Sequence, residues 1–117
     1  GIIEHTLAKF NGPSSQIMAW LGPAIGPQQF EVGLDVFDCF TEYSQQASEA
    51  FERVDLDHYL ADIFLLAKQR LLSQGVKAIF GGEHCTVSDP THFFSYRRDG
   101  QETGRMLTLI WKSAQPL

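Results

Sequence analysis

The residues able to do chemistry crowd into positions 80–105 of this 117-residue chain: His84, Cys85, His92, Phe93, Phe94, Arg97, Arg98, Asp99 and Arg105. Cys85 offers a thiol nucleophile, which needs a base to activate it. His84, its neighbour, is a poor candidate for that base, because adjacent side chains in extended chain point to opposite sides. Arg97, Arg98 and Arg105 offer guanidinium forks, which bind the oxygens of an anion two at a time. Phe93 and Phe94 offer faces on which a flat ring could stack. Each feature also has a plainer reading. The arginines could pair with Asp99, Glu102 or Asp62, at least one of the phenylalanines could be core, and Gly81-Gly82 could be an ordinary strand-to-loop turn. The four histidines have no H-E-x-x-H or other tight ligand spacing, so the expected metal-ligand set is none.

Elements flanking this segment must position it. Residues 17–21, 76–80 and 106–111 are nearly continuous apolar runs, which predicts three strands of one sheet covered on both faces. Apolar spacing predicts helices at 2–10, from Leu34 to Tyr43, and over 57–74, the last capped by Asp57 and ended by Gly75. His58 falls in the first turn of that helix and reads as solvated. Asp62, amid apolar neighbours, is expected on the wet side or paired with a cation. The polar stretch 44–54 is anchored by Ala47, Ala50 and Phe51. Gly22-Pro23-Ala24-Ile25-Gly26-Pro27 is a constrained loop that either positions something or crosses from strand to helix. Cys39, inside a helix, reads as a small buried apolar residue.

Composition sets the limits. A hydrophobic content of 44% suits one globular domain, and a net charge of −5 argues against a nucleic-acid partner, whose phosphates call for a basic excess. No apolar run nears the ~20 residues of a membrane helix, and no signal-peptide pattern opens the chain, so the expectation is a cytoplasmic protein without a membrane partner. Cys39 and Cys85 lack a pairing pattern and are expected to be free. Gly1 opens directly into an apolar helical stripe with no capping residue, which suggests a piece of a longer chain.

Several motifs in order carry a resemblance. They are Trp20 through Pro27, Phe30-Glu31-Val32-Gly33, Tyr59-Leu60-Ala61-Asp62-Ile63, Ile79-Phe80-Gly81-Gly82, Cys85-Thr86, Phe93 through Asp99, and Thr103-Gly104-Arg105-Met106. Together they resemble the C-terminal half of the YfiH-like family, long labelled laccase-domain proteins or polyphenol oxidases. The resemblance implies a layered α/β sandwich with a mixed sheet covered by helices, residues 1–117 forming the C-terminal part of a single domain. It implies purine nucleoside phosphorylase activity on adenosine, inosine and methylthioadenosine, with adenosine deamination. It implies zinc, or copper by the older label, held by two histidines and a cysteine in segments that this sequence does not contain. The expected partners are purine nucleosides, phosphate, and either the missing N-terminal half or a second copy of the chain.

On that resemblance Cys85 is a catalytic candidate, and Arg97, Arg98, Phe93 and Phe94 are candidates for binding phosphate and purine. Alone, the chain is expected to be inactive. Two other readings stand beside it: a hydrolase with Cys85 as nucleophile, and a non-catalytic interaction module. Copper-dependent phenol oxidation finds no clustered histidines to support it.

Overall fold

The structure is a computed structural model that describes residues 1–114. Its elements run α1 (Ile2–Leu7), β1 (Met18–Leu21), β2 (Glu31–Gly33), α2 (Leu34–Tyr43), β3 (Phe51–Arg53), β4 (His58–Ala61), α3 (Ile63–Ser73), β5 (Ala78–Gly81) and α4 (Tyr96–Asp99). The fold is α/β, as the sequence implies, with parallel and antiparallel pairing divided between two small sheets.

In the first sheet β1 and β5 pair in parallel, Met18 opposite Ala78 and Leu21 opposite Gly81. Parallel partners need a long crossover, and everything from β2 to α3 lies in it. Gly81 and Gly82 then leave the sheet with φ of +81° and +80°, a region that costs a glycine nothing. A side chain on Gly81 would run into the Leu21 carbonyl and the Trp20 ring, while one on Gly82 would press on Phe64. The close approach that these glycines allow is to the neighbouring strand and to α3.

The second sheet is antiparallel in the order β2-β4-β3, with Val32 opposite Tyr59 and Phe51 opposite Ala61. Helix α2 lies against it through aromatic contacts: Phe37 stacks on Tyr59 at 4.2 Å and meets Phe51 edge-on at 5.2 Å. Ala47, Ala50 and Leu66 form the buried cluster, with Phe40, Phe51 and Leu65 packed on it. Ala47 and Ala50 thus anchor the 44–54 stretch. Arg70 of α3 ties in α1 by an ion pair to Glu4 at 3.1 Å, and its guanidinium lies 3.7 Å from the Tyr43 ring centroid.

Several expectations are corrected. The 57–74 segment is not one helix: its first residues are β4, hydrogen-bonded on both sides by β2 and β3. The helix starts at Ile63, where Asp62 rather than Asp57 is the cap, its carboxylate accepting from the Leu65 N–H at 3.0 Å. That also settles Asp62, which satisfies an orphan helix donor instead of a cation. His58 accordingly opens a strand. The 106–111 run belongs to no helix or strand, and Leu107 and Ile110 are each over 80% exposed. An apolar run becomes a strand only where an edge accepts it. In the first sheet Met18 and Trp20 stand exposed, so β1 is not covered on both faces. Cys39 lies on the exposed side of α2, not in the core.

Candidate functional site

The 22–27 loop and the 84–87 segment run side by side beyond the first sheet. The Ala24 N–H donates to the His84 carbonyl at 3.2 Å, and the Thr86 N–H donates to the Ala24 carbonyl at 2.9 Å. Those bonds extend the parallel pairing of β1 and β5 by one bridge, between Ala24 and Cys85. The constrained loop therefore positions something: it forms one wall of a cleft of about 390 Å³ whose other wall is 94–97 and 104–106.

Arg97, Arg105, Phe94 and Tyr96 line this cleft, with the buried Thr86 and Ser95 at its base. Arg97 lies over the Phe30 ring at 5.4 Å and donates through Nη1 to the Glu31 carbonyl at 3.0 Å. Arg105 lies over the Tyr96 ring at 5.6 Å. Arg105 Nη1 donates to the Thr103 and Gly104 carbonyls at 3.3 and 3.2 Å, so each guanidinium is backed by an aromatic face and tethered through Nη1, with its other N–H donors available to a ligand. Phe94 is held by the absence of a side chain at Gly104, where a Cβ would stand 2.7 Å from its ring.

Arg98 behaves differently from its neighbour. It donates Nε and Nη2 to the Asp99 carboxylate at 2.9 and 2.7 Å, Nη1 to the carbonyls of Thr86 and Val87 at 2.9 and 3.2 Å, and Nη2 again to the Phe93 carbonyl at 2.9 Å. A guanidinium has five N–H donors, and all five are used within the protein. None is left for an anion. Asp99 in turn is held below the usual aspartate range by the hydrogen bond from Arg98.

Cys85 does not line the cleft; its Sγ accepts from the Gly26 N–H at 3.2 Å and the Ser88 hydroxyl at 3.3 Å. Burial works to raise its pKa, but the Ser88 hydroxyl and the N–H groups of Gly26, Ser88 and Val87 outweigh it, so the thiol sits below its ordinary value. No histidine is among its partners. His92 is paired with Asp89 at 2.9 Å, and the His84 ring lies 5.8 Å from that of Phe93. Phe93 faces a second hollow of about 350 Å³ with Pro90 and His92, and Phe94 forms the wall between the two.

Of the sequence candidates, Arg97, Arg105 and Phe94 come together in the cleft, whereas Cys85, Phe93 and Arg98 do not line it. Thr86, Ser95 and Tyr96 lie inside the Cys85-Thr86 and Phe93 through Asp99 motifs that carry the resemblance, but the sequence assigned none of the three an individual role. Ser95 carried a signal, since a serine three residues before Arg98 is a helix cap, and its Oγ accepts from the Arg98 N–H at 3.2 Å. Metal binding finds no donor set here: among the described residues no three His, Cys, Asp or Glu side chains converge.

Comparison with known proteins shows the family and the fold. Residues 1–113 match the family described as multi-copper polyphenol oxidoreductase laccase. The Escherichia coli purine nucleoside phosphorylase YfiH is 50% identical over 111 residues, covering 95% of this chain and 45% of the relative. A Haemophilus influenzae purine nucleoside phosphorylase is 43% identical over 113 residues, covering 95% and 46%. Among solved structures, a Neisseria meningitidis protein superposes with a TM-score of 0.84 at 46% identity, over 86% of this chain and 41% of its own. A Bacillus licheniformis hypothetical protein YfiH does so with a TM-score of 0.77 at 27% identity. The chain thus spans a little under half the length of the curated relatives it matches. With the family match running from Gly1 to Ser113 and these relatives aligned along nearly all of it, the chain belongs to the multi-copper polyphenol oxidoreductase laccase family, of which the YfiH purine nucleoside phosphorylases are its relatives.

Proposed function

We propose that this chain is the C-terminal part of a single purine nucleoside phosphorylase domain, and that its cleft is a phosphate- and purine-facing wall. The observation that carries the reading is the pair of aromatic-backed guanidinium groups, Arg97 and Arg105, on one cleft with Phe94 and Tyr96. In phosphorolysis a phosphate oxygen bonds to C1′ of the ribose as the glycosidic bond breaks. The bonding pair leaves with the purine, which takes up a proton. Two guanidinium groups fix the attacking dianion and offset its charge, and an aromatic face orients the base. Inosine, adenosine and methylthioadenosine fit this substrate class.

Zinc or copper, and the adenosine deamination that would use an activated water, belong in this reading to the rest of the protein. Among the described residues His84, Cys85 and His92 do not converge into a set of three metal ligands. The hydrolase reading draws on the lowered Cys85 pKa but lacks a hydrogen-bonded base. An interaction module without catalysis predicts that the full-length protein binds no nucleoside.

The test is the Arg97→Ala variant of the full-length protein, assayed with inosine and varied phosphate. The expected result is a KM for phosphate raised by about tenfold or more, with an unaltered thermal melting curve. An unchanged phosphate dependence in the folded variant sinks the assignment.

A further inference from the structure

Arg98 is adjacent in sequence to the cleft-lining Arg97, yet it spends its whole guanidinium on the protein. Its acceptors are informative. Two are the consecutive carbonyls of Thr86 and Val87, one is the Phe93 carbonyl, and two are the oxygens of Asp99 on its own helix. Residues 86 and 93 bracket the loop that follows Cys85, and α4 carries Tyr96 and Arg97 into the cleft. A single planar group thus sets the spacing among three parts: the base of the cleft at Thr86, the chain leading into Phe94, and the helix bearing Arg97. On the other side, Thr86 N–H and Ala24 carbonyl fasten the same segment to the 22–27 loop.

We propose that Arg98, braced by Asp99, is a positioning residue for the cleft: it binds no substrate, and fixes the distance between Arg97 and the 22–27 wall by clamping the 86–93 loop to α4. This rests on the reading of the cleft as a phosphate and purine site. The clamp depends on fork geometry more than on charge. Lysine keeps the charge, but with one nitrogen and three hydrogens it cannot reach carbonyls on two sides and a carboxylate together.

The experiment uses the full-length protein with Arg98→Lys and, separately, Asp99→Asn, which weakens the same fork without touching the main-chain contacts. Hydrogen exchange supplies the readout that does not depend on activity. The expectation is exchange about tenfold faster or more in peptides spanning 86–94, with peptides covering β1 and β5 unchanged, and a smaller effect of the same kind in Asp99→Asn. In kinetics, KM should rise for phosphate and nucleoside together while kcat falls, because a displaced wall misplaces both ligands.

Three results overturn the proposal. One is unaltered exchange in 86–94. Another is exchange raised throughout the molecule in both variants, which makes Arg98 a general stabiliser. The third is a rise in the phosphate KM alone, which makes Arg98 a direct phosphate ligand. Local loosening in a protein whose unaltered form shows no phosphorolysis would uphold the clamp while refuting the proposed function of the cleft, so the two failures are distinguishable.

Discussion

Cys85 and Arg98 were legible as chemically capable residues, but what each does depends on neighbours far along the chain. The Cys85 partner at Gly26 is 59 residues away. No spacing rule shows that a backbone N–H will be aimed at the sulfur, so a nucleophile and a loop tether read alike in sequence. With donors outweighing burial, iodoacetamide alkylation of Cys85 in a Cys39→Ser background should show a midpoint below the ordinary thiol pKa of ~8.5. Ser88→Ala should move that midpoint upward, since it removes the foremost lowering contact. A profile indifferent to Ser88 would contradict the assigned cause. His58 makes a second residue-scale prediction. Its Nδ1 lies 2.9 Å from Asp55, whose hydrogen bond raises the imidazole pKa. A raised folded-state value means that the stabilisation is fully present below the unfolded pKa of ~6.5 and is lost as pH rises through the folded value. An NMR titration should place His58 above the ordinary value, and Asp55→Asn should return it there.

At the scale of elements, the helices and the two paired apolar runs were readable because periodicity and apolar content report burial directly. The 57–74 segment misled because Leu60, Ile63 and Phe64 share a helical spacing even though Leu60 lies in β4. Both neighbours of that strand, β2 and β3, are three residues long and too short to announce themselves. Asp62 decides the boundary, and Asp62→Ala should lower stability by about 1 kcal/mol in chemical denaturation. Asp57→Ala should leave the helix untouched, and equal losses from the two changes would restore the longer helix. Gly81→Ala puts a side chain against the Leu21 carbonyl at a positive φ, and should cost more than about 1 kcal/mol. The same change at Gly12, also at positive φ but with open space around it, should be milder.

For the whole molecule the informative quantity is surface. A compact monomer of this mass exposes roughly 6,400 Å², whereas this chain exposes 8821 Å². Its radius of gyration is 16.0 Å, against roughly 13 Å for a compact domain of similar length. The difference in exposed surface exceeds what a standard protein interface buries, about 1,600 Å². Much of it is apolar: Leu107, Leu109, Ile110 and Trp111 are all 70% or more exposed, and Met18, Trp20 and Phe80 of the first sheet are also open. Monomeric proteins rarely leave this many large apolar side chains open to water where they gather into one patch. This 117-residue chain should therefore associate, its weight-average mass in sedimentation rising across micromolar concentrations, and it should bind an apolar dye. Replacing Leu107 and Ile110 together by lysine should reduce both signals without changing the far-ultraviolet spectrum, because neither residue belongs to a helix or a strand. A chain that stays monomeric and dye-silent at high concentration would mean that this surface collapses on itself in solution, with 106–111 folding back onto the exposed faces of β1 and β5.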